Sequence, residues 1–384
     1  MADKTPSISV VIPCFRAGEL LVEAVESVLA QTETDWELIL VDNNASEETK
    51  EVISKFTNLF PEKIRRVWEE DQGVCSARNR GISKSHGEFI ALLDDDDKMY
   101  PERLALQKEA LSDHPEAVLC YGGIDWVSYD DKTVVKSGER DADFPFFPES
   151  SDKVMETALL RFPEPRPSSV MVRKSISEEV GGFDRHFNPC LLDETDFYFR
   201  IAQLGPFVEV NRPVIRFRMP SPEFLKKKRI DNVRKFRLLL NQDYFFSKII
   251  KFLKEKNLQE NPSIQRDLKR MKARWLREVS FDFLAIPGGE KLARLLLWRA
   301  IREWPSDLKS VKHLVRSFYS FPARVRRYRS QQVYEEGIPP EITEDFLLSL
   351  FNGDHHCPFC ESSSFVLRQI GDQPFIHKTQ SNSE

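Results

Sequence analysis

The sequence predicts an α/β fold with a mostly parallel sheet, followed by a helical extension, and three observations carry that expectation. Short apolar runs rich in β-branched residues alternate with segments of helical spacing between Ile8 and Leu93. Acidic residues stand where two of those runs end, at Asp42 and at Asp94. The charge also changes sign along the chain: residues 1–222 carry 26 Lys and Arg against 41 Asp and Glu, a net −15, while residues 223–384 carry 30 against 20, a net +10. The two parts are therefore expected to do different work.

Ile8 to Ile12 reads as a strand stopped by Pro13, and Glu19 to Ala30 as a helix through Leu21, Val25, Val28 and Leu29. Trp36 to Val41 is a second strand, Thr49 to Phe60 a second helix and Ile64 to Trp68 a third strand. Phe89 to Leu93 is five apolar residues in a row, as expected of a strand buried on both faces. It runs directly into Asp94-Asp95-Asp96-Asp97. At a separation of about 4 Å and an effective dielectric near 20, each like-charge pair there costs roughly 4 kcal/mol. Splaying the four acids or seating a cation among them relieves that repulsion, and carboxylate oxygens suit magnesium or manganese. In a parallel sheet ligands lie beyond the carboxyl ends of the strands, where Asp42 and Asp94 both fall.

Several segments together resemble the family 2 glycosyltransferases of GT-A fold. Val11-Ile12-Pro13-Cys14-Phe15, Glu26 to Thr32 and Val41-Asp42-Asn43-Asn44-Ala45-Ser46 are similar to the opening of that family. Gly73-Val74-Cys75-Ser76-Ala77-Arg78-Asn79-Arg80-Gly81 resembles its G-x-x-x-A-R-N-x-G segment, and Leu93 to Asp97 with Pro101 its L-D-x-D-D-x-x-x-P block. Gly181-Gly182-Phe183-Asp184 with Asp193 to Arg200 resembles its last catalytic block.

That resemblance implies a metal-dependent, inverting enzyme that moves a sugar from a nucleotide-sugar, a UDP-sugar by expectation, to a hydroxyl of a glycan or lipid-linked acceptor. Pro13, Phe15 and nearby backbone would lie against the base, Asp42 would accept from the base edge, and Arg78 would reach the nucleotide end. An aromatic face stacks and a carboxylate accepts from a ring N–H, so these roles suit the residue types. Asp96 is assigned to the Mn2+ or Mg2+ ion directly, and Asp94 to the ribose or to a metal-bound water. Asp95 is grouped with the donor contacts, although it and Asp97 read as supporting or solvent-facing acids. The ion would neutralise charge growing on the departing diphosphate. The attacking hydroxyl needs a base, and the block reads Asp193-Glu194-Thr195-Asp196, with Glu where Asp is usual. Glu194 is taken as the base and Asp193 as its substitute; Asp196 reads as a structural acid at a helix start. Because the base position carries an extra methylene, a catalytically degenerate protein that binds a nucleotide-sugar or glycan is the alternative.

Asp125 to Phe147 reads as a polar, then Pro- and Phe-rich loop on the acceptor side, and Arg166 to Arg173 as the strand before Gly181. On this reading residues 1–220 form the catalytic domain, 221–350 a basic helical extension and 351–384 a Cys- and His-bearing tail. Lys226 to Arg229, Arg234, Lys235 and Arg237 are basic, and Val311, Leu314, Val315 and Phe318 mark an apolar face beside Lys312, His313 and Arg316. Arg324, Arg326, Arg327 and Arg329 continue the charge. Such helices suit peripheral contact with anionic lipid, or solvated faces of a helical subdomain. No nucleic-acid module is present. Cys357 and Cys360 have the spacing of half a zinc site with His377 as a distant ligand, or belong to a local tail. No leading run resembles a signal peptide and no stretch approaches a membrane span, so a cytoplasmic, membrane-peripheral protein with buried reduced cysteines is expected.

Overall fold

The computed structural model describes residues 5–137, 165–188, 192–221, 232–285, 288–319 and 347. The chain forms two compact units, Met1–Pro222 and Glu223–Glu384. Among the described residues no helix is long and apolar enough to cross a membrane.

In the first unit nine described strands make one sheet. They are β1 (Ile8–Cys14), β2 (Trp36–Asp42), β3 (Ile64–Trp68), β4 (Phe89–Leu92), β5 (Lys98–Met99), β6 (Leu119–Val127), β7 (Val134–Lys136), β8 (Val170–Arg173) and β9 (Phe207–Arg218). The order is β3-β2-β1-β4-β8-β6-β9-β5, with β7 against β6. The four strands at the β3 end are mutually parallel, as the alternating sequence predicts. Beyond them β8 runs antiparallel to both β4 and β6, so the parallel sheet meets a mixed one at β4. The acidic run begins at that junction.

Every residue of β2 and of β4 is buried, which explains why both read as unbroken apolar runs. Helices α1 (Glu19–Leu29) and α2 (Glu47–Leu59) cover one face through Leu21, Val25, Val28, Val52, Ile53 and Phe56. Ser46 caps α2, its hydroxyl accepting from the Thr49 N–H. Helix α3 (Val74–Lys84) lies against β1 and β2 at Gly81, where an added Cβ would stand 2.2 Å from a Val11 methyl. That contact is the physical reason for the last glycine of the A-R-N-x-G segment.

Helix α4 (Arg103–Asp113) carries a fully buried arginine. Arg103 donates through one terminal nitrogen to the carbonyls of Leu92 (2.9 Å) and Val170 (3.0 Å), tying the end of β4 to the start of β8. Burial pushes its guanidinium down to about 9. The segment expected as one strand from Arg166 instead opens with a 3-10 turn, Pro167–Ser169, and only then enters β8. The fixed φ of Pro167 at the head of the turn suits that change. Asp125 to Val127, expected in a loop, remain in β6; residues 138–147 of that expected loop lie outside the described residues. The short α5 (Lys174–Glu179) and then α6 (Asp193–Ile201) complete the unit.

The second unit is helical: α7 (Asn232–Glu255), α8 (Pro262–Ala285), α9 (Glu290–Glu303) and α10 (Leu308–Tyr319). Phe245, Trp275, Leu276, Phe283, Leu296 and Leu297 form its interior. Lys272 pairs with Glu303 at 2.8 Å across α8 and α9. On α10 the buried side holds Ser310 and Ser317, while Val311 and Val315 of the expected apolar face are exposed together with Leu308. Cys14, Cys75 and Cys120 are buried thiols, as expected. Lys226 to Arg229, Arg324 to Arg329, Cys190, Cys357, Cys360 and His377 lie outside the described residues, as do the side chains of Arg234, Lys235, Arg237, Arg316 and Phe318.

A buried carboxylate joins the parallel strands. Glu37 of β2 accepts from the Ser9 hydroxyl of β1 (2.6 Å), from the Arg65 guanidinium of β3 (2.7 Å) and from the His86 N–H before β4 (2.6 Å). Burial opposes its ionisation, but these donors outweigh it and hold the carboxyl below its usual range. A carboxyl depressed in the folded state stabilises the fold above its unfolded value near 4.3 and loses that contribution as pH falls through the folded value. Urea unfolding at pH 7 and pH 3 should show wild type losing more stability than Glu37→Gln; equal losses would contradict the assignment.

Candidate active site

The four acids after β4 have distinct surroundings. The Asp97 N–H donates to the Asp94 carbonyl at 3.3 Å, closing the turn. Asp97 is buried: its carboxylate accepts from the Ser168 hydroxyl (2.5 Å) and from the Arg218 N–H (2.9 Å). Ser168 in turn accepts from the Asp94 N–H at 3.0 Å, so one hydroxyl braces both ends of the turn. Asp95 accepts from the Phe15 N–H at 3.0 Å, linking the turn to the segment after β1. The Arg218 side chain donates to the Asp96 carbonyl (2.9 Å) and pairs with Glu23 of α1 (2.9 Å). No other described residue hydrogen-bonds or ion-pairs the carboxylate of Asp96. Burial, and then the neighbouring acids, raise three of the four: Asp95 to about 8, Asp96 to about 6, and Asp97 well above its usual range.

Arg78 answers this charge. Its guanidinium is 2% exposed and spans two acids, donating to Asp94 at 2.9 Å and to Asp193 at 2.9 Å. Burial alone would lower its basicity, but Asp94, Asp193 and Glu194 raise it, so it stays charged. The guanidinium carbon also lies 5.2 Å from the Phe183 ring centroid. The sequence places Arg78 at the nucleotide end; in the structure its side chain is the joint between the acidic turn and the start of α6.

Asparagines hold the surrounding loops. Asn79 both donates to the Phe183 carbonyl (2.8 Å) and accepts from its N–H (2.7 Å), fixing the Gly181-Gly182-Phe183 turn, whose two glycines have φ near +70°. Asn43 accepts from the Gly73 N–H at 2.8 Å, and Asn188 from the Cys75 N–H at 3.0 Å, so both secure the start of α3. Phe15 and Pro13 are half-buried, while Asp42 is fully buried at the end of β2. Its carboxylate already pairs with Arg66 and accepts from the Ala45 N–H at 3.0 Å. Any base-edge contact would therefore share that carboxylate.

Helix α6 begins after Leu192, which takes the left-handed conformation at φ 67°. Asp193 is buried on Arg78, and Glu194 is half-buried at the next position. Asp196 is fully buried and pairs with Arg200 one turn later at 2.8 Å, which agrees with a structural role. Ser168, Arg218 and the pairing of Asn79 with Phe183 escape sequence reasoning, because each joins segments separated by 71 to 122 residues. Only the A-R-N and G-G-F-D motifs, taken as two halves of one contact, hold a signal for any of them. Among the described residues no three His, Cys, Asp or Glu side chains converge to hold an ion by themselves.

Removing Arg78 leaves the buried Asp193 charge unpaired, a loss of about 3–5 kcal/mol for a buried pair. Arg78→Met should therefore be strongly destabilised in denaturant unfolding, and adding Asp193→Asn should restore part of the loss. Strictly additive losses would show that the two residues do not share an ion pair.

Comparisons with known proteins agree with this geometry. Residues 9–176 match the model for "Glycosyl transferase family 2". The chain is 33% identical over 110 residues to the putative teichuronic acid biosynthesis glycosyltransferase TuaG of Bacillus subtilis, covering 28% of this chain and 43% of that protein. It is 31% identical over 120 residues to the PGL/p-HBAD biosynthesis glycosyltransferase of Mycobacterium bovis, covering 31% of this chain and 47% of that one. The aligned parts thus span less than half of those relatives' lengths. Among solved structures, mannosyltransferase PcManGT from Pyrobaculum calidifontis, in complex with GDP-Man and Mn2+, superposes with a TM-score of 0.50 at 16% identity, covering 86% of this chain and 85% of that one. The mixed sheet, the acidic turn after β4 and the matched segment agree: residues 9–176 match the glycosyl transferase family 2 model, and the fold is similar to that of a solved mannosyltransferase.

Proposed function

We propose that this chain is a metal-dependent, inverting glycosyltransferase that moves a sugar from a nucleotide-sugar, a UDP-sugar by expectation, to a hydroxyl of a glycan or lipid-linked acceptor in cell-surface polysaccharide synthesis. The observation that carries the reading is the division of labour in the acidic turn: Asp94, Asp95 and Asp97 are committed to Arg78, Phe15 and Ser168, while the Asp96 carboxylate has no such partner among the described residues. Asp96, with Asp94 beside it, fits a divalent ion whose remaining ligands are phosphate oxygens and water, the usual arrangement for magnesium. When bound, such an ion offsets negative charge on the departing nucleoside diphosphate.

The chain's own residues would do the rest. Phe15 and Pro13 flank the start of the donor pocket, and Asp42, oriented by Arg66, is the acid nearest the end of β2. Glu194 takes the proton from the attacking hydroxyl, because the neighbouring Asp193 is already held by Arg78. Arg78 keeps the acidic turn and the base-bearing helix in register, and such placement is worth on the order of a hundredfold in rate per ångström. The exposed Leu308, Val311 and Val315 of α10, beside the exposed Lys309 and Lys312, support contact with an anionic lipid surface where a lipid-linked acceptor would reside.

Release of nucleoside diphosphate from a panel of UDP- and GDP-sugars with manganese tests the reading. Wild type should turn over one donor class, and Asp96→Ala should lose turnover by at least about 10²-fold without a loss of fold. Glu194→Gln separates an enzyme from a degenerate binder: donor-specific binding with no wild-type turnover favours the binder, and unaltered transfer by Glu194→Gln removes Glu194 as base.

A further inference from the structure

Close to the acidic turn lies a positively charged group that neither the fold nor the proposed chemistry uses. The Arg166 guanidinium carbon sits 5.5 Å from the Trp126 ring centroid and 5.3 Å from that of Phe217. The two rings meet edge to face with centroids 4.7 Å apart. All three side chains are half-buried. Among the described residues no carboxylate pairs with Arg166 and no acceptor takes a hydrogen bond from its side chain; only its carbonyl is engaged, by Ser169. A surface arginine without a partner is ordinary, but this one is wedged against two rings that fix its plane. A guanidinium so placed presents its fork of donors with little ordering left to do.

Its place in the chain makes the group relevant. Arg166 precedes by two residues Ser168, the hydroxyl that braces Asp94 and Asp97. Phe217 precedes Arg218, which holds Asp97 and the Asp96 carbonyl, and Trp126 is its register partner on β6. The platform thus hangs from the same two segments that shape the acidic turn, on strands β6 and β9, away from the β1 and β2 ends that bear Phe15 and Asp42.

We infer that Arg166, Trp126 and Phe217 form an acceptor subsite for an anionic saccharide, whose sugar ring lies on the aromatic faces while its carboxylate or phosphate receives the Arg166 fork. An arginine fork matches the two oxygens of either anion, and an aromatic face suits the apolar side of a sugar ring. The inference rests on the glycosyltransferase reading, and specifies the charge of the acceptor within it.

Isothermal titration of the full chain with methyl β-D-glucuronide, glucose 6-phosphate and methyl β-D-glucoside, in the presence of UDP and manganese, tests it. At least one anionic sugar should bind about tenfold or more tighter than the neutral glucoside, the range of one charge-assisted contact. The stronger of the two identifies the anion as carboxylate or phosphate. Arg166→Gln should erase the preference and leave the glucoside unchanged, while Trp126→Ala should weaken all three. Should Arg166→Gln fail to fold, Arg166→Lys, which keeps the charge and loses the fork, should reduce the preference. Equal binding of the three sugars, binding of none, or a preference that survives Arg166→Gln overturns the inference. Wild-type donor hydrolysis, measured on the same preparation, separates the two failures: hydrolysis with no anion preference sinks only the subsite, and absence of any donor turnover sinks the reading beneath it.

Discussion

Four consecutive carboxylates at the end of a buried strand are a structural problem before they are a functional site, and the first unit is built around its solution. Arg78 brings a buried positive charge to one end of the turn, and Arg218 brings a backbone N–H and its side chain to the other. Ser168 closes the gap between them with a single hydroxyl. Each of these groups comes from a different segment. The backbone bond from Asp97 to Asp94 closes the turn locally, but its charges are offset only when α3, the 3-10 turn before β8 and the end of β9 have all arrived. That dependence explains why the sheet changes direction at β4. An antiparallel β8 delivers its amino end, and with it Ser168, beside the carboxyl end of β4, where a further parallel strand would have delivered its carboxyl end.

The same arrangement ties the start of α6 to the acidic turn. Because one guanidinium reaches both Asp94 and Asp193, a displacement of α6 is felt at the turn, and the reverse holds. The loop between them is fixed independently by Asn79 on the Phe183 backbone. Two adjacent residues of one motif thus hold the start of α6 and the Gly181-Gly182-Phe183 turn ahead of it. Under the proposed function, rigidity of this kind would serve to align a donor and an acceptor that the protein does not hold covalently.

Much of the fold is legible from the sequence, for a plain physical reason. β1, β2 and β4 are buried on both faces and so appear as unbroken apolar runs, and the helices between them show their buried stripes. The acids are legible as a cluster but not as individuals. Nothing in Asp94-Asp95-Asp96-Asp97 says that Asp97 is buried on Ser168 while Asp96 lacks such a partner, because that distinction is made by residues 71 to 122 positions away. Arg78 is legible as a member of the A-R-N segment and not as a bridge, for the same reason. The Arg166 platform was invisible, since an arginine, a tryptophan and a phenylalanine on separate segments carry no common period. In the second unit the spacing of Val311, Leu314 and Val315 signals an apolar face, of which Val311 and Val315 are exposed.

Whether the Asp96 carboxylate holds the ion is decided by a crystal structure of the chain soaked with UDP and manganese. An ion is expected within about 2.1 Å of an Asp96 oxygen, bridging to the diphosphate, with Arg78 still joining Asp94 to Asp193. Diphosphate density elsewhere, with Asp96 facing water, would contradict it.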